Sequence, residues 1–578
     1  MRRAFAGNIA APGMALGRVR LEQPARFSVD NTPLADAEVE PEVARLEQAF
    51  AAARDDMAEL KRKLHGVLAR EVGEFIDAHA QLLDDPDLID GLRAMIRKGH
   101  YRAEAALKAQ RDRLVSVFDR MDDPYLRSRG EDIDHVIARV QGALARQASS
   151  EERKLATRVG EILVTGSVAP GELAHMASHG ILAVVVGSGS PYSHSAILAR
   201  SLHLPMLANV DGVLEDLSDG DLALVDGMRG ELIVHPAAQD LAGYRTWQRD
   251  AMREGQRLAQ LAGTQTRTRD GVKLRIFANA ERPEDIERAR NLGVAGIGLY
   301  RTEFLFLAKD GLPDEEEQFA VYRDVVFGAG GLPVTLRTLD LGADKAGAAG
   351  LAVPAEPNPA LGVRGVRLSL RQIDVFVTQL RAILRASCYG PLRILVPMVT
   401  DAAELVEVRR LVEACARDLR TAGHEIPDQF ELGAMVEVPA AAINVRALLE
   451  VSDFLSIGSN DLTQYVLAAD RNNDQVGKLY RPAHPAVVRL LAHVIGRARV
   501  ARKPATLCGE IAGDPAFAPL LVALGLEDFS MLPDRILAQR DALSRCDRGA
   551  LRAVAPRLLR ARDSEEIQAL LQTAAPGG

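Results

Sequence analysis

In the C-terminal part of the chain, two carboxylates stand just past short apolar runs, Glu437 in GAMVEVPAAA and Asp461 in SIGSNDLTQY. They are hard oxygen donors with no histidine or cysteine cluster beside them. This suits magnesium better than zinc, because magnesium takes one or two protein carboxylates and completes its octahedron with water and phosphate oxygens. Each carboxylate alone reads equally well as an ion-paired structural residue; their shared position favours a metal. Arg301 in GIGLYRTEF, Arg337 in LRTLDLGADK, Arg471 and Lys345 supply cationic donors. A guanidinium fork matches phosphate or carboxylate oxygens in pairs, so the set asks for a polyanionic substrate. Cys508 in CGEIAGD opens the loop after another apolar run. A thiol there, with an ordinary pKa of ~8.5, is mainly protonated and can give its proton to a carbanion; a buried, inert thiol is the other reading.

A second chemistry lies upstream. GSPYSHSAILAR places His194 after a glycine-serine turn at the start of an expected helix, with Ser193 or Ser195 able to cap it. A neutral imidazole is a nucleophile at phosphorus, and a helix N-terminus favours the anion that results. His175, His179 and His203 lack that context.

These residues need elements to hold them. After Gly271, eight short apolar runs (VKLRIFANA, GIGLYR, PVTLRTLD, RILVPMV, ELGAMVEV, FLSIGSND, ATLCGE and EDFSML) alternate with helical patterns. Strands buried on both faces need such continuous runs, and eight strand-helix units predict a TIM-type (β/α)8 barrel. Its chemistry belongs at the C-terminal strand ends, where Arg301, Arg337, Asp340, Glu437, Asn460, Asp461, Cys508 and Glu510 fall. Upstream, Ala, Leu, Arg and Glu recur at helical spacing, as in EVARLEQAFAAARDDMAELKRKL, and predict a helical bundle over 26–147. Short β-rich runs with glycine turns predict an α/β domain from 1–25 and 148–236, and the polar stretch 237–262 predicts a linker helix ahead of a barrel over 263–578.

The 578 residues carry a net charge of −8, with a pI near 5.9. That balance argues against a nucleic-acid surface and suits a basic protein partner. No apolar run approaches the roughly 18 residues of a membrane span, and the first residues lack a signal-length apolar core. Four cysteines without a CxxC pair read as reduced thiols. A cytoplasmic protein is expected.

Together GSPYSHSAILAR, GIGLYRTEF, LRTLDLGADK, VEVPAAA, SIGSNDLTQY and CGEIAGD resemble Enzyme I, the phosphoenolpyruvate-protein phosphotransferase of the bacterial sugar phosphotransferase system. EFIDAHAQLLDDPDL and DDPYLRSRGEDIDHV resemble its carrier-docking insert, so the resemblance covers nearly the whole chain. It implies a swivelling phosphohistidine domain with an inserted helical bundle, followed by a barrel that binds phosphoenolpyruvate and dimerises. It implies His194 as the phosphorylated residue, Cys508 as proton donor to the enolate, and Glu437 and Asp461 as Mg2+ ligands. Arg301, Arg337, Asn460, Asp461 and Arg471 would hold phosphoenolpyruvate, with Lys345 a further addition. The implied partner is the phosphocarrier protein HPr, with pyruvate released, in a homodimer without nucleic acid or membrane insertion. Ser190 and Tyr192 depart from the family's pattern before the histidine, and Ala343 stands where glycine is usual. The resemblance extends to pyruvate phosphate dikinase and phosphoenolpyruvate synthase, but the segment before the histidine domain offers no glycine-rich phosphate loop. A regulatory phosphorelay role with little sugar transport is the alternative within the same family, and the first residues show no added sensory domain.

Overall fold

The computed structural model describes residues 2–22, 32–63, 79–119, 133, 136–144, 160–168, 172–173, 176–177, 179–188, 194–307, 311–347, 349–351, 353–354, 356–471 and 476–574. They form two compact units, Met1–Ala251 and Met252–Gly578.

The first unit is built on a mixed sheet of β1 (Arg3–Ala6), β2 (Asn8–Ala11), β3 (Met14–Glu22), β4 (Glu161–Thr165), β5 (Ala183–Val186), β6 (Met206–Ala208), β7 (Leu222–Asp226) and β8 (Glu231–Val234), in the order β1-β8-β7-β3-β4-β5-β6-β2. Strand β5 is the uncharged run AVVV, all four residues of which are buried, as covering both faces of a sheet requires. Strand β3 pairs in parallel with β4, so the helical segment leaves and rejoins the sheet between two adjacent strands. That segment contains α1 (Val39–Lys63), α2 (Pro86–Gly99), α3 (Ala103–Asp119) and helical residues 136–144. On α1, Val43, Leu46, Phe50, Ala53 and Met57 form a buried stripe at three- and four-residue spacing, the pattern of a helix with one covered face. Arg45 joins α1 to α3 by pairing with Glu104 at 2.7 Å as well as with Glu42 at 2.8 Å.

His194 is the first residue of α4 (His194–Ser201). Ser195 does not cap it: its buried hydroxyl donates to the Val168 carbonyl at 2.7 Å, because that loop carbonyl has to be satisfied inside the core. Ser190, Tyr192 and Ser193 lie outside the described residues. Arg200 fastens α4 to β2 through the Ala10 carbonyl at 2.6 Å. The polar segment read as a connecting helix forms α5 (Ala238–Ala259), which buries none of its residues.

In the second unit, β9 (Arg275–Ala280), β10 (Ile297–Arg301), β11 (Val334–Arg337), β12 (Leu392–Val396), β13 (Glu431–Val436), β14 (Phe454–Ile457), β15 (Ala505–Leu507) and β16 (Asp528–Met531) close into a parallel barrel. All eight expected runs are strands. Leu299, Leu395, Met435, Phe454 and Cys508 form one apolar cluster, while Leu336, Ile394, Leu455 and Ile457 join the larger core that includes the surrounding helices. The two sets alternate along the strands, as inward and outward residues of a barrel must. The register of β10 on β11 pairs Arg301 with Arg337. Helix α6 (Ile373–Ala386) packs outside the barrel, and α7 (Ser459–Leu467) follows β14. Asn460 and Asp461, read from the sequence as strand-end residues, sit in the first turn of α7. Ala343 begins a short helical turn, Ala343–Ala346; it tolerates a side chain there because the turn is ordinary helix.

Candidate active site

Past the C-terminal ends of β11, β13 and β14, carboxylate oxygens of Asp340, Glu437 and Asp461 lie within 4.8 Å of one another. Glu437 follows β13 and is 2% exposed. Its Oε1 accepts the Met398 N–H at 2.7 Å. A Cβ on Gly458 would lie 2.6 Å from Oε2, so only glycine lets the start of α7 come this close. Asp340 is held by a fork: Arg364 donates to Oδ1 at 3.0 Å and to Oδ2 at 2.8 Å. Arg337 reaches the same Oδ2 at 3.3 Å and donates to Glu303 Oε1 at 3.0 Å. Arg364 also approaches Asp461 Oδ2 at 3.3 Å.

Behind these groups a buried polar chain fixes the backbone. Gln379 of α6 accepts the Leu339 N–H at 3.0 Å and donates to Thr302 Oγ1 at 3.2 Å, and Thr302 in turn donates to the Arg337 carbonyl at 2.9 Å. Both arginine-bearing strand ends are thereby tied to one helix. In a close-packed interior this limits how far either guanidinium can drift.

The charges are unevenly matched. Asp340, Glu303, Glu437 and Asp461 face Arg337 and Arg364, which leaves carboxylate in excess. Burial pushes Asp340 upward, but Arg364 and Arg337 outweigh it and hold this carboxyl below its ordinary range. Glu437 gets no such relief: burial, then repulsion from Asp461 and Asp340, push it up to about 8 against the pull of Arg337 and Arg364. An oxygen-only donor set with surplus negative charge fits a hard divalent cation. Both Asp340 oxygens are already engaged by guanidinium groups, so Glu437 Oε2 and Asp461 are the better-placed donors.

The remaining sequence candidates take separate places. Arg301 donates to Glu281 Oε1 at 2.6 Å. Asn460 and Glu510 are reciprocally bonded, Asn460 Nδ2 to Glu510 Oε1 and Glu510 N–H to Asn460 Oδ1, both at 2.9 Å. A Cβ on Gly509 would lie 1.9 Å from Ser459 Oγ, so the Cys508 loop closes on α7 only with glycine there. Cys508 itself is buried; burial, partly offset by a hydrogen bond from Ser456, raises its thiol pKa. Arg471 is exposed beyond α7, and its N–H donates to Gln464 Oε1 at 3.4 Å. Lys345 lies in the turn Ala343–Ala346, with its side chain outside the described set. His194 belongs to the other unit.

Sequence reasoning placed Asp340 at a strand end without giving it a role, and it passed over Arg364, Glu303 and Glu281. Arg364 follows no apolar strand and is one of 71 lysines and arginines. Its only local signal is the pair of flanking glycines, Gly362 and Gly365, in LGVRGVR; Gly365 has φ +56° and a Cβ there would meet Met398 at 2.6 Å.

A parallel barrel with carboxylates and guanidinium groups at its mouth, preceded by an α/β unit with an inserted helical segment, defines a class. Three family profiles name it: phosphoenolpyruvate-utilising enzyme, N-terminal, over residues 6–129; mobile domain over 157–230; and PEP-binding domain over 255–548. Proteins named phosphoenolpyruvate-protein phosphotransferase match nearly end to end. The one from Cupriavidus necator is 40% identical, over 98% of this chain and 99% of that protein. Those from Listeria monocytogenes, 35% identical over 99% of both chains, and Geobacillus stearothermophilus, 37% identical over 97% and 96%, agree. The chain belongs to the phosphoenolpyruvate-protein phosphotransferase family. It is a transferase of phosphoenolpyruvate-dependent phosphoryl transfer, with the TIM-type barrel and helical N-terminal region expected from the sequence. Among the described residues no helix is long and apolar enough to cross a membrane.

Proposed function

We propose that the chain takes the phosphoryl group of phosphoenolpyruvate onto His194 and passes it to HPr, with release of pyruvate, as the first step of the sugar phosphotransferase system in the cytoplasm. The observation that carries this reading is the cluster of Asp340, Glu437 and Asp461 beside Arg337 and Arg364 at the barrel mouth. Glu437 and Asp461 hold Mg2+. When bound, the ion neutralises charge on phosphate and enolate oxygens. Arg301, Arg337, Asn460 and Arg471 hold the substrate, with Lys345 as a further cation, and Arg301 exchanges Glu281 for a substrate oxygen. Guanidinium groups fixed from behind present their N–H donors without reorganising, which is how a site favours charge as it develops. Cys508 delivers the proton to the methylene carbon of the enolate.

His194, at the start of α4, receives the phosphoryl group on the other unit. Nucleophile and substrate site therefore have to meet, in keeping with a mobile phosphohistidine domain of 1–25 and 148–236 carrying the HPr-binding insert 26–147. The linker 237–262 leads to the barrel of 263–578, through which two copies pair. Phosphoenolpyruvate with magnesium should place one acid-labile phosphoryl group on each chain, and His194→Ala should abolish it. Peptide mapping that found the phosphate on serine, or an unchanged yield from His194→Ala, would overturn the assignment.

A further inference from the structure

Inside the barrel, Ser456 shares the inward face of β14 with Phe454, while Leu455 and Ile457 face the helices. It is 1% exposed, and its hydroxyl donates to Cys508 Sγ at 3.2 Å. The Cys508 thiol is 3.5 Å from the Ile457 carbonyl. The backbone on the other side is pinned as well: Asn279 Nδ2 donates to the Cys508 carbonyl at 3.0 Å, and Ser530 Oγ donates to Asn279 Oδ1 at 2.6 Å. Leu299, Leu395, Met435 and Phe454 make up the rest of the apolar cluster that contains Cys508. They offer nothing to an anion.

A buried thiol that gives up its proton leaves a thiolate behind, and an unpaired buried anion is costly. Among the described residues, the Ser456 O–H is the side-chain donor directed at this sulfur. We infer that Ser456 is a positioning residue for the protonation step: it holds Cys508 Sγ in place and donates a hydrogen bond to the thiolate that remains after transfer. This rests on the reading of Cys508 as proton donor. In that step the S–H bond breaks and a C–H bond forms at the enolate methylene carbon. The S–H electron pair stays on sulfur, the Ser456 proton stays on oxygen, and water reprotonates the thiolate after pyruvate leaves.

A serine that merely fills space in the barrel would act independently of Cys508, so a double-mutant cycle on the full chain separates the two cases. Wild type, Ser456→Ala, Cys508→Ala and the double variant would be compared for steady-state pyruvate formation with phosphoenolpyruvate, Mg2+ and HPr as phosphoryl acceptor, below each protein's unfolding midpoint. Ser456→Ala should slow pyruvate formation roughly tenfold, the scale of one charge-assisted hydrogen bond, with the KM for phosphoenolpyruvate held within about twofold. Its solvent deuterium isotope effect should rise as proton transfer becomes more limiting. In the Cys508→Ala background the same substitution should cost nothing further. An equal loss in both backgrounds, or a wild-type rate for Ser456→Ala, would overturn the inference while leaving Cys508 as donor. A wild-type rate for Cys508→Ala alone would instead remove the reading beneath it.

Discussion

Buried Arg540 and the half-buried pair Arg337 and Arg364 solve the same problem in opposite ways. Arg540, 2% exposed on the helix Ile536–Arg545, meets no carboxylate among the described residues. It donates to Thr266 Oγ1 at 3.2 Å and to the carbonyls of Leu261 at 2.5 Å, Leu292 at 2.9 Å and Gly293 at 3.1 Å. Its donors go to three backbone carbonyls and one hydroxyl, and the result is a clasp around the segment entering the barrel. At the barrel mouth, Arg337 and Arg364 are shared among acids that outnumber them, and Glu437 is left with its charge disfavoured. The first arrangement is complete without a ligand. The second leaves carboxylate in excess, the setting in which we propose a cation for the carboxylates and an anion for the guanidinium groups.

The contrast is broken most severely by Glu437→Gln. Steady-state assays should show phosphoenolpyruvate-dependent phosphorylation falling by about a thousandfold, since the ligand we propose for the cation is lost. The thermal midpoint at pH 7 should change little, because the carboxyl it replaces is already largely protonated there and the amide is close to it in shape. Cys508→Ala should slow pyruvate formation by about a hundredfold with little change in substrate affinity, as loss of the proposed proton donor requires, and rapid-quench measurements would separate the two. Arg540→Leu should do the reverse of Glu437→Gln. Denaturant titration should show a loss of about 3 kcal/mol, as carbonyls in the clasp lose their charged donor, with kcat/KM for phosphoenolpyruvate unchanged while the protein is folded.

The difference also carries a pH signature. Folding lifts the Glu437 carboxyl from 4.5 to about 8. Between those values the folded protein keeps a proton that the unfolded chain has shed, so Glu437 makes stability decline as pH rises through that window and level off above it. Asp340 has the opposite sign: its carboxyl is depressed, and its contribution is lost as pH falls through the folded value. Unfolding curves of Glu437→Gln should therefore lack the decline on the neutral side.

The eight barrel strands were legible because strands covered on both faces must be continuous apolar runs, and their ends located Arg337, Glu437, Asp461 and Cys508 near one mouth. Arg364 was not legible, since it reaches the site from a loop rather than from a strand end. Nor was Ser456: in FLSIGSND it reads as an ordinary strand residue, and only closure of the barrel sets it against a cysteine 52 positions later in the chain. Sequence pattern reports which face a residue takes. It does not report which far strand supplies the neighbour, and the sharing of two guanidinium groups among four acids depends on that neighbour.

Cation binding at the barrel mouth is the most direct test of the proposed site. Isothermal titration of the full chain with Mg2+, repeated in buffers of different ionisation enthalpy, counts the protons displaced per ion. With the Glu437 carboxyl at about 8, binding at pH 7 should release close to one proton per site, and the release should fade above pH ~9. Glu437→Gln should abolish the release and weaken binding by about a hundredfold. Binding of undiminished affinity by Glu437→Gln, with no proton displaced from either protein, would place the cation elsewhere and contradict the account.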